Sequence, residues 1–175
     1  MRTRDVVRVG MYVALFAVLE IVSNSLPLFK MPQGGSLSLG AIALVLASYD
    51  LGWKLGLTTT FISFLVMIVL PGDQLYFYNI IQFLCDYLFA YACYAFTSLI
   101  PDFKIKKTGY PIGIFITSFF RFMFHNISGW IFFAEAYKGR LILGVMGYNA
   151  SYMIPTAIVT FIIVFIVKPR LIVSK

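Results

Sequence analysis

Six apolar runs, separated by short polar or proline- and glycine-bearing breaks, leave this 175-residue chain few ways to fold. They cover residues 6–29, 38–48, 55–70, 76–99, 110–133 and 141–167. A helix needs roughly 20 apolar residues to cross a bilayer core, and only the second run falls well short. Backbone exposed to lipid must satisfy its own hydrogen bonds. The expected fold is therefore an all-α integral membrane protein, a compact bundle of six transmembrane helices forming one domain over residues 1–175. With 61% hydrophobic and 12% charged residues and a mean hydropathy of +0.90, a soluble domain is excluded. The basic start before the first run has the outline of a signal peptide. The run is too long for one, carries Glu20 and is followed by further spans, so it reads as a retained helix.

Lysine and arginine set the orientation. With the N-terminus inside, cytoplasmic segments carry Arg2, Arg4, Arg8, Lys54, Lys104, Lys106, Lys107, Lys168, Arg170 and Lys175, whereas the outer loops carry Lys30, Lys138 and Arg140. Both termini are then expected in the cytoplasm. The formal charge of +7 comes from short clusters at helix ends, the pattern of topology determinants and not of a nucleic-acid partner.

Polar groups at membrane depth are costly and mark function by default. Residues 119–156 place Arg121, His125, Asn126, Glu135, Tyr148, Asn149, Ser151 and Tyr152 in an otherwise hydrocarbon sequence. On the fourth run Asn79, Gln82 and Asp86 share a helical face. On the fifth, Arg121 and His125 lie one turn apart with Ser128 and Gly129 beyond. On the sixth, Asn149, Tyr152 and Thr156 form a stripe. These stripes reach similar depth in the outer half, an expected pocket for a small polar ring compound. Asp86 is either a counter-charge for a cationic ligand or the structural partner of Arg121, for which Glu20 competes. His125 is a ligand group or a satisfied bundle histidine, and Tyr148 and Tyr152 are pocket walls or interfacial anchors. On the first run the small residues Gly10, Ala14 and Ala17 allow another helix to approach closely, either within the bundle or from a partner.

Several chemistries have no sequence support. No phosphate-binding loop, nucleophile elbow or zinc-protease motif is present, and the chain has a single histidine without metal-ligand spacing. Cys85 and Cys93 sit eight positions apart, about 12 Å along a helix and too far for a disulfide. No cofactor, metal or enzymatic activity is expected. No inverted repeat of the secondary-transporter type is evident. A small binding protein that draws its energy from elsewhere fits these gaps.

Four segments together carry a family resemblance: Pro32-Gln-Gly-Gly-Ser-Leu-Ser-Leu39, Gln82-Phe-Leu-Cys-Asp-Tyr-Leu-Phe-Ala90, His125-Asn-Ile-Ser-Gly-Trp-Ile-Phe-Phe133 and Tyr148-Asn-Ala-Ser-Tyr-Met-Ile-Pro155. The chain resembles the thiamine-specific substrate-binding (S) components of bacterial energy-coupling factor (ECF) vitamin importers. The resemblance implies a six-helix bundle in the bacterial cell membrane, with thiamine held near the outer face under the first loop. It implies that Asp86, Tyr87, His125 and Asn149 contact the ligand. Gln82, Phe133, Tyr148 and Tyr152 complete the expected site, Phe133 standing where some members carry a stacking tryptophan. It further implies that Gly10 and Ala14, with Ala17 a turn on, dock a transmembrane coupling subunit bearing two ATPase subunits. Asp86 stands where some members have glutamate, so a thiamine precursor or another vitamin is the alternative ligand. A membrane scaffold, in which Asp86, Arg121 and Glu20 form only an ion network, is the alternative of another class.

Overall fold

A computed structural model describes residues 2–25, 31–32, 35–70, 75, 77, 79–137 and 139–171. The end of the first apolar run, the break at 71–74, and Lys30, Lys138 and Lys175 lie outside the described residues.

Six helices carry the fold: α1 (Thr3–Asn24), α2 (Gly40–Leu51), α3 (Trp53–Val69), α4 (Ile80–Leu99), α5 (Gly113–Phe132) and α6 (Leu141–Leu171). Three of them, α1, α4 and α6, are long and apolar enough by themselves to cross a membrane. Their outward faces are hydrocarbon: Met11 and Val18 on α1, Ile80 and Ile81 on α4, and Ile154, Ile158, Ile162 and Ile166 on α6 are all exposed.

The short second run has a structural explanation. At about 1.5 Å per residue, the twelve residues of α2 span only ~18 Å, far less than a bilayer core. Yet α2 is the centre of the bundle, packed against α1, α3, α4 and α6, with Ala41, Ala43, Leu44, Val45 and Ala47 wholly buried. Its alanines let the neighbouring backbones close in. The shortfall in length is made up by irregular chain, tolerated at depth only where protein encloses it. Here Ser23 Oγ donates to the Leu37 carbonyl, and Ser38 N donates to Thr156 Oγ1 at 3.3 Å.

Gly52 alone, with φ +81°, separates α2 from α3. This turn is tighter than the expected break at 49–54, because only glycine enters that backbone region without a steric cost. The connection between α4 and α5, expected as a plain polar loop, is an antiparallel hairpin, β1 (Phe103–Ile105) with β2 (Thr108–Tyr110). Ion pairs gather at this end of the bundle. Lys168 Nζ reaches both Asp102 oxygens at 2.5 Å, and Arg8 pairs with Asp50, which also accepts from Tyr12 at 3.0 Å.

α4 and α5 meet closely along Thr97 and Thr117, whose hydroxyls lie 3.1 Å apart. Gly113 permits this approach, since a Cβ there would stand 2.8 Å from the Thr97 carbonyl oxygen. Gly113→Ala is therefore expected to cost about 1–3 kcal/mol, read as a melting temperature several degrees lower in detergent. Gly10→Ala is the matched control: a Cβ at Gly10 meets nothing within 4 Å, so melting should hold or rise slightly.

Candidate functional site

The site lies at the end of the bundle opposite the hairpin, where α4, α5 and α6 bring their polar residues together. It begins with a local irregularity. Residues Leu84–Phe89 of α4 are wound as a π-helix, a rare geometry that recurs at functional sites because the wider turn re-aims side chains. Asp86 sits in that segment. The expected stripe of Asn79, Gln82 and Asp86 is only partly realised. Asn79 is the exposed N-cap of α4, its side chain accepting from Gln82 N at 2.9 Å. Gln82 is fully buried and directs Nε2 to Asp86 Oδ2 at 3.4 Å.

The Asp86 carboxylate is held mainly by α5. Ser128 Oγ donates to Oδ2 at 2.7 Å, and His125 Nδ1 lies 3.2 Å from Oδ1. A carboxylate accepts only, so this contact places an imidazole proton on Nδ1, and in the neutral ring Nε2 is then an acceptor. His125 Nε2 is buried and has no hydrogen-bond partner among the described residues; neither has the indole N–H of Trp130 on the same helix. Buried polar atoms are nearly always paired. An orphaned ring nitrogen on the histidine that holds a carboxylate describes a place for a ligand with a complementary group.

Beneath the carboxylate runs a chain of side-chain amides. Tyr152 OH donates to Asn149 Oδ1 at 2.9 Å, Asn149 Nδ2 to Asn126 Oδ1 at 3.1 Å, and Asn126 Nδ2 to the Phe122 carbonyl at 2.8 Å. This fixes Asn149 by bonds on both sides. Aromatic rings adjoin the site: Tyr152 meets His125 edge-on at 6.1 Å, Tyr148 meets Tyr152 at 5.9 Å, and Tyr137 meets Tyr148 at 6.5 Å. Gly35 packs directly on the Tyr152 ring and Gly144 on Tyr137; a Cβ at either would collide with it.

Of the residues expected from the sequence, Gln82, Asp86, His125, Asn149, Tyr148 and Tyr152 are thus linked by contacts. Tyr87 packs 5.3 Å from Phe83 against the central core, and Phe133 is the half-buried C-cap of α5. Ser128 was placed beside Arg121 and His125 from spacing alone, but its role as the nearest donor to Asp86 was not visible. Trp130 and the ring of Tyr137 were missed as site features. For Ser128 the available signal was its hydroxyl three residues beyond His125, on the same helical face.

Arg121 joins neither carboxylate in the ion pairs found among the described residues. Its guanidinium lies over the rings of Tyr91 at 4.4 Å and Tyr94 at 5.4 Å, and Nη1 donates to Tyr94 OH at 3.2 Å. Glu20 instead accepts from Ser38 Oγ at 2.5 Å and Tyr91 OH at 3.2 Å. The expected choice between two salt bridges is resolved by aromatic faces, which attract a cation without carrying charge. Gly10 and Ala14 lie exposed on the outer face of α1, with Ala17 partly buried. No group of three or more metal-ligating side chains occurs among the described residues.

The profile of the family described as thiamine transporter protein (Thia_YuaJ) matches residues 6–173. The chain belongs to that family. A relative, the thiamine transporter ThiT of Bacillus subtilis (strain 168), is 33% identical over 183 residues, covering 96% of this chain and 93% of the relative. The fold matches a solved structure of ThiT from Listeria monocytogenes with a TM-score of 0.73, at 17% identity, over 95% of this chain and 96% of that one. The six-helix membrane fold is that of this transporter family, whose named relatives are transport proteins and not enzymes.

The tyrosine–amide chain yields a stability test. Tyr152→Phe strands Asn149 Oδ1 in a buried position, and a loss of about 1–3 kcal/mol is expected. In a double-mutant cycle with Asn149→Ala the two losses should be less than additive, measured by thermal unfolding in detergent.

Proposed function

We propose that this protein is the substrate-binding S component of an ECF-type importer in the bacterial cell membrane. It captures thiamine from outside and releases it inside, with energy from a coupling subunit and two ATPase subunits. The observation that carries the reading is the Asp86–His125 pair with its orphaned Nε2, in a chain whose family and relative are named for thiamine transport.

Charge supports a cationic ligand. Among the described residues, apart from the ion pairs at the hairpin end, the interior holds two carboxylates, Glu20 and Asp86, against one guanidinium, Arg121. With His125 neutral, one negative charge is left over. A permanent cation such as the thiazolium ring of thiamine cancels it without a proton. Tyrosine faces add about 0.5–2 kcal/mol for each well-placed contact with a desolvated cation. His125 Nε2 can accept from an aminopyrimidine N–H, and a ring nitrogen can accept from Trp130.

Asp86→Asn should keep the fold, since the amide still fills the space between Ser128 and Gln82, but lose thiamine affinity by about 10²-fold or more. Removing one partner of a buried charge pair costs roughly 2–5 kcal/mol. Calorimetry, or quenching of Trp53 and Trp130 fluorescence, gives the measurement. No thiamine signal from well-folded wild-type protein would sink the thiamine assignment and turn the search to precursors and other vitamins. Unchanged affinity in Asp86→Asn would remove Asp86 from the site.

The docking reading is tested separately. Gly10→Leu with Ala14→Leu should leave thiamine binding intact, because both positions face away from the pocket. Uptake by cells or proteoliposomes supplied with the coupling and ATPase subunits should fall sharply. In the proposed orientation, with both termini in the cytoplasm, a cysteine at Arg140 labels from outside and one at Lys106 from inside. The reverse pattern would overturn it.

A further inference from the structure

We infer that the β1–β2 hairpin is a membrane-surface anchor, and that its partner is the headgroup layer of an anionic lipid leaflet. Three observations converge on it. The first is unmatched charge. At the hairpin end of the bundle each acidic side chain is already engaged by a basic one: Asp5 by Arg2, Asp50 by Arg8 and Asp102 by Lys168. Lys104, Lys106 and Lys107 are exposed and form no ion pair among the described residues. No carboxylate among the described residues supplies their counter-charge.

The second is the two-sidedness of the hairpin. Its register pairs Phe103 with Tyr110, Lys104 with Gly109 and Ile105 with Thr108. Residues directly opposite share a face of the ribbon, so Phe103, Ile105, Thr108 and Tyr110 line one side and Lys104 the other. Phe103 and Ile105 are 56% and 50% exposed, which is costly in water and favourable at an acyl boundary.

The third is placement. Tyr110 stacks on Phe165 of α6, with ring centroids 5.2 Å apart and planes 9° from parallel. Asp102, which leads into β1, is clamped by Lys168 in the last turns of α6. The hairpin is therefore held against the last turns of α6, near Phe165 and Lys168, on a helix whose Ile162 and Ile166 are exposed. Exposed apolar groups beside lysines there match an anionic headgroup layer, to which each lysine near the surface contributes about 1 kcal/mol, or roughly fivefold in affinity. An acidic protein surface supplies the charge but gives no use to Phe103 and Ile105 at the lipid boundary. The inference rests on the membrane fold and is independent of which vitamin is carried.

The test uses the full chain in nanodiscs of phosphatidylcholine alone or with 30% phosphatidylglycerol, both leaflets alike so that orientation does not matter. Cys85 and Cys93 are replaced by serine, and an environment-sensitive nitrobenzoxadiazole probe is attached at Thr108→Cys, on the apolar face. The expected result is blue-shifted emission, quenched by lipids spin-labelled near the headgroup and strengthened by phosphatidylglycerol. Substituting Lys104, Lys106 and Lys107 by glutamine should abolish the phosphatidylglycerol dependence while circular dichroism stays unchanged. Water-like emission in both lipids would overturn the inference, as would a response equal in both. A shift that appears only on adding coupling and ATPase subunits would overturn it in favour of a protein partner.

Discussion

A charge or amide in the middle of this bundle must be answered from within, because hydrocarbon offers neither counter-ions nor hydrogen bonds. That constraint organises the structure more than apolar packing does, since lipid is as apolar as the side chains it touches and gives helices little reason to associate. Polar bonds between helices fill the gap. Glu20 of α1 joins Ser38 ahead of α2 and Tyr91 of α4; Tyr91 in turn carries Arg121 of α5 on its face. Asp86 joins α4 to α5 through Ser128 and His125, and the asparagine pair joins α5 to α6. Each helix around the site is thus tied to the next by a group that cannot be left alone.

The same constraint explains why the first loop and the pocket are one assembly. The chain from Gly35 to Leu39 is irregular and largely buried, a state that exposes peptide groups at depth. Ser23 of α1 and Thr156 of α6 satisfy two of these peptide groups, and Glu20 of α1 holds the Ser38 hydroxyl beside them. Thr156 also donates to the Tyr152 carbonyl at 2.8 Å, and Tyr152 begins the amide chain and receives Gly35 on its ring. The loop that borders the site is therefore built onto the same side chains that form its floor. A change at Tyr152 reaches both.

Much of the fold was legible because hydrocarbon runs are a strong signal, and the stripe Asn149, Tyr152 and Thr156 is buried as helical spacing implies. What was not legible shares a cause: periodicity assumes a uniform α-helix and counts only formal charge. The π-helical turn at Asp86 leaves no trace in spacing. Asn79 left its expected stripe because the helix starts after it. Arg121 found tyrosine faces where an ion-pair reading looked for Asp86 or Glu20. The hairpin at 103–110 was hidden by its shortness, three residues a strand, and by a turn at Lys106 with φ +53°, where glycine is the usual sign.

The unequal count of interior charges also bears on how readily such a site would let a cationic ligand go. A pocket whose surplus negative charge is neutralised by its ligand binds that ligand more strongly the better it excludes water. Release then restores an uncompensated carboxylate in a dry environment, which is unfavourable until water or a new partner reaches it. Among the described residues Arg121 is held by Tyr91 and Tyr94, and Lys168 is paired with Asp102 at the hairpin end. Tight capture and spontaneous release are opposed by the same arrangement of Asp86, His125 and Ser128.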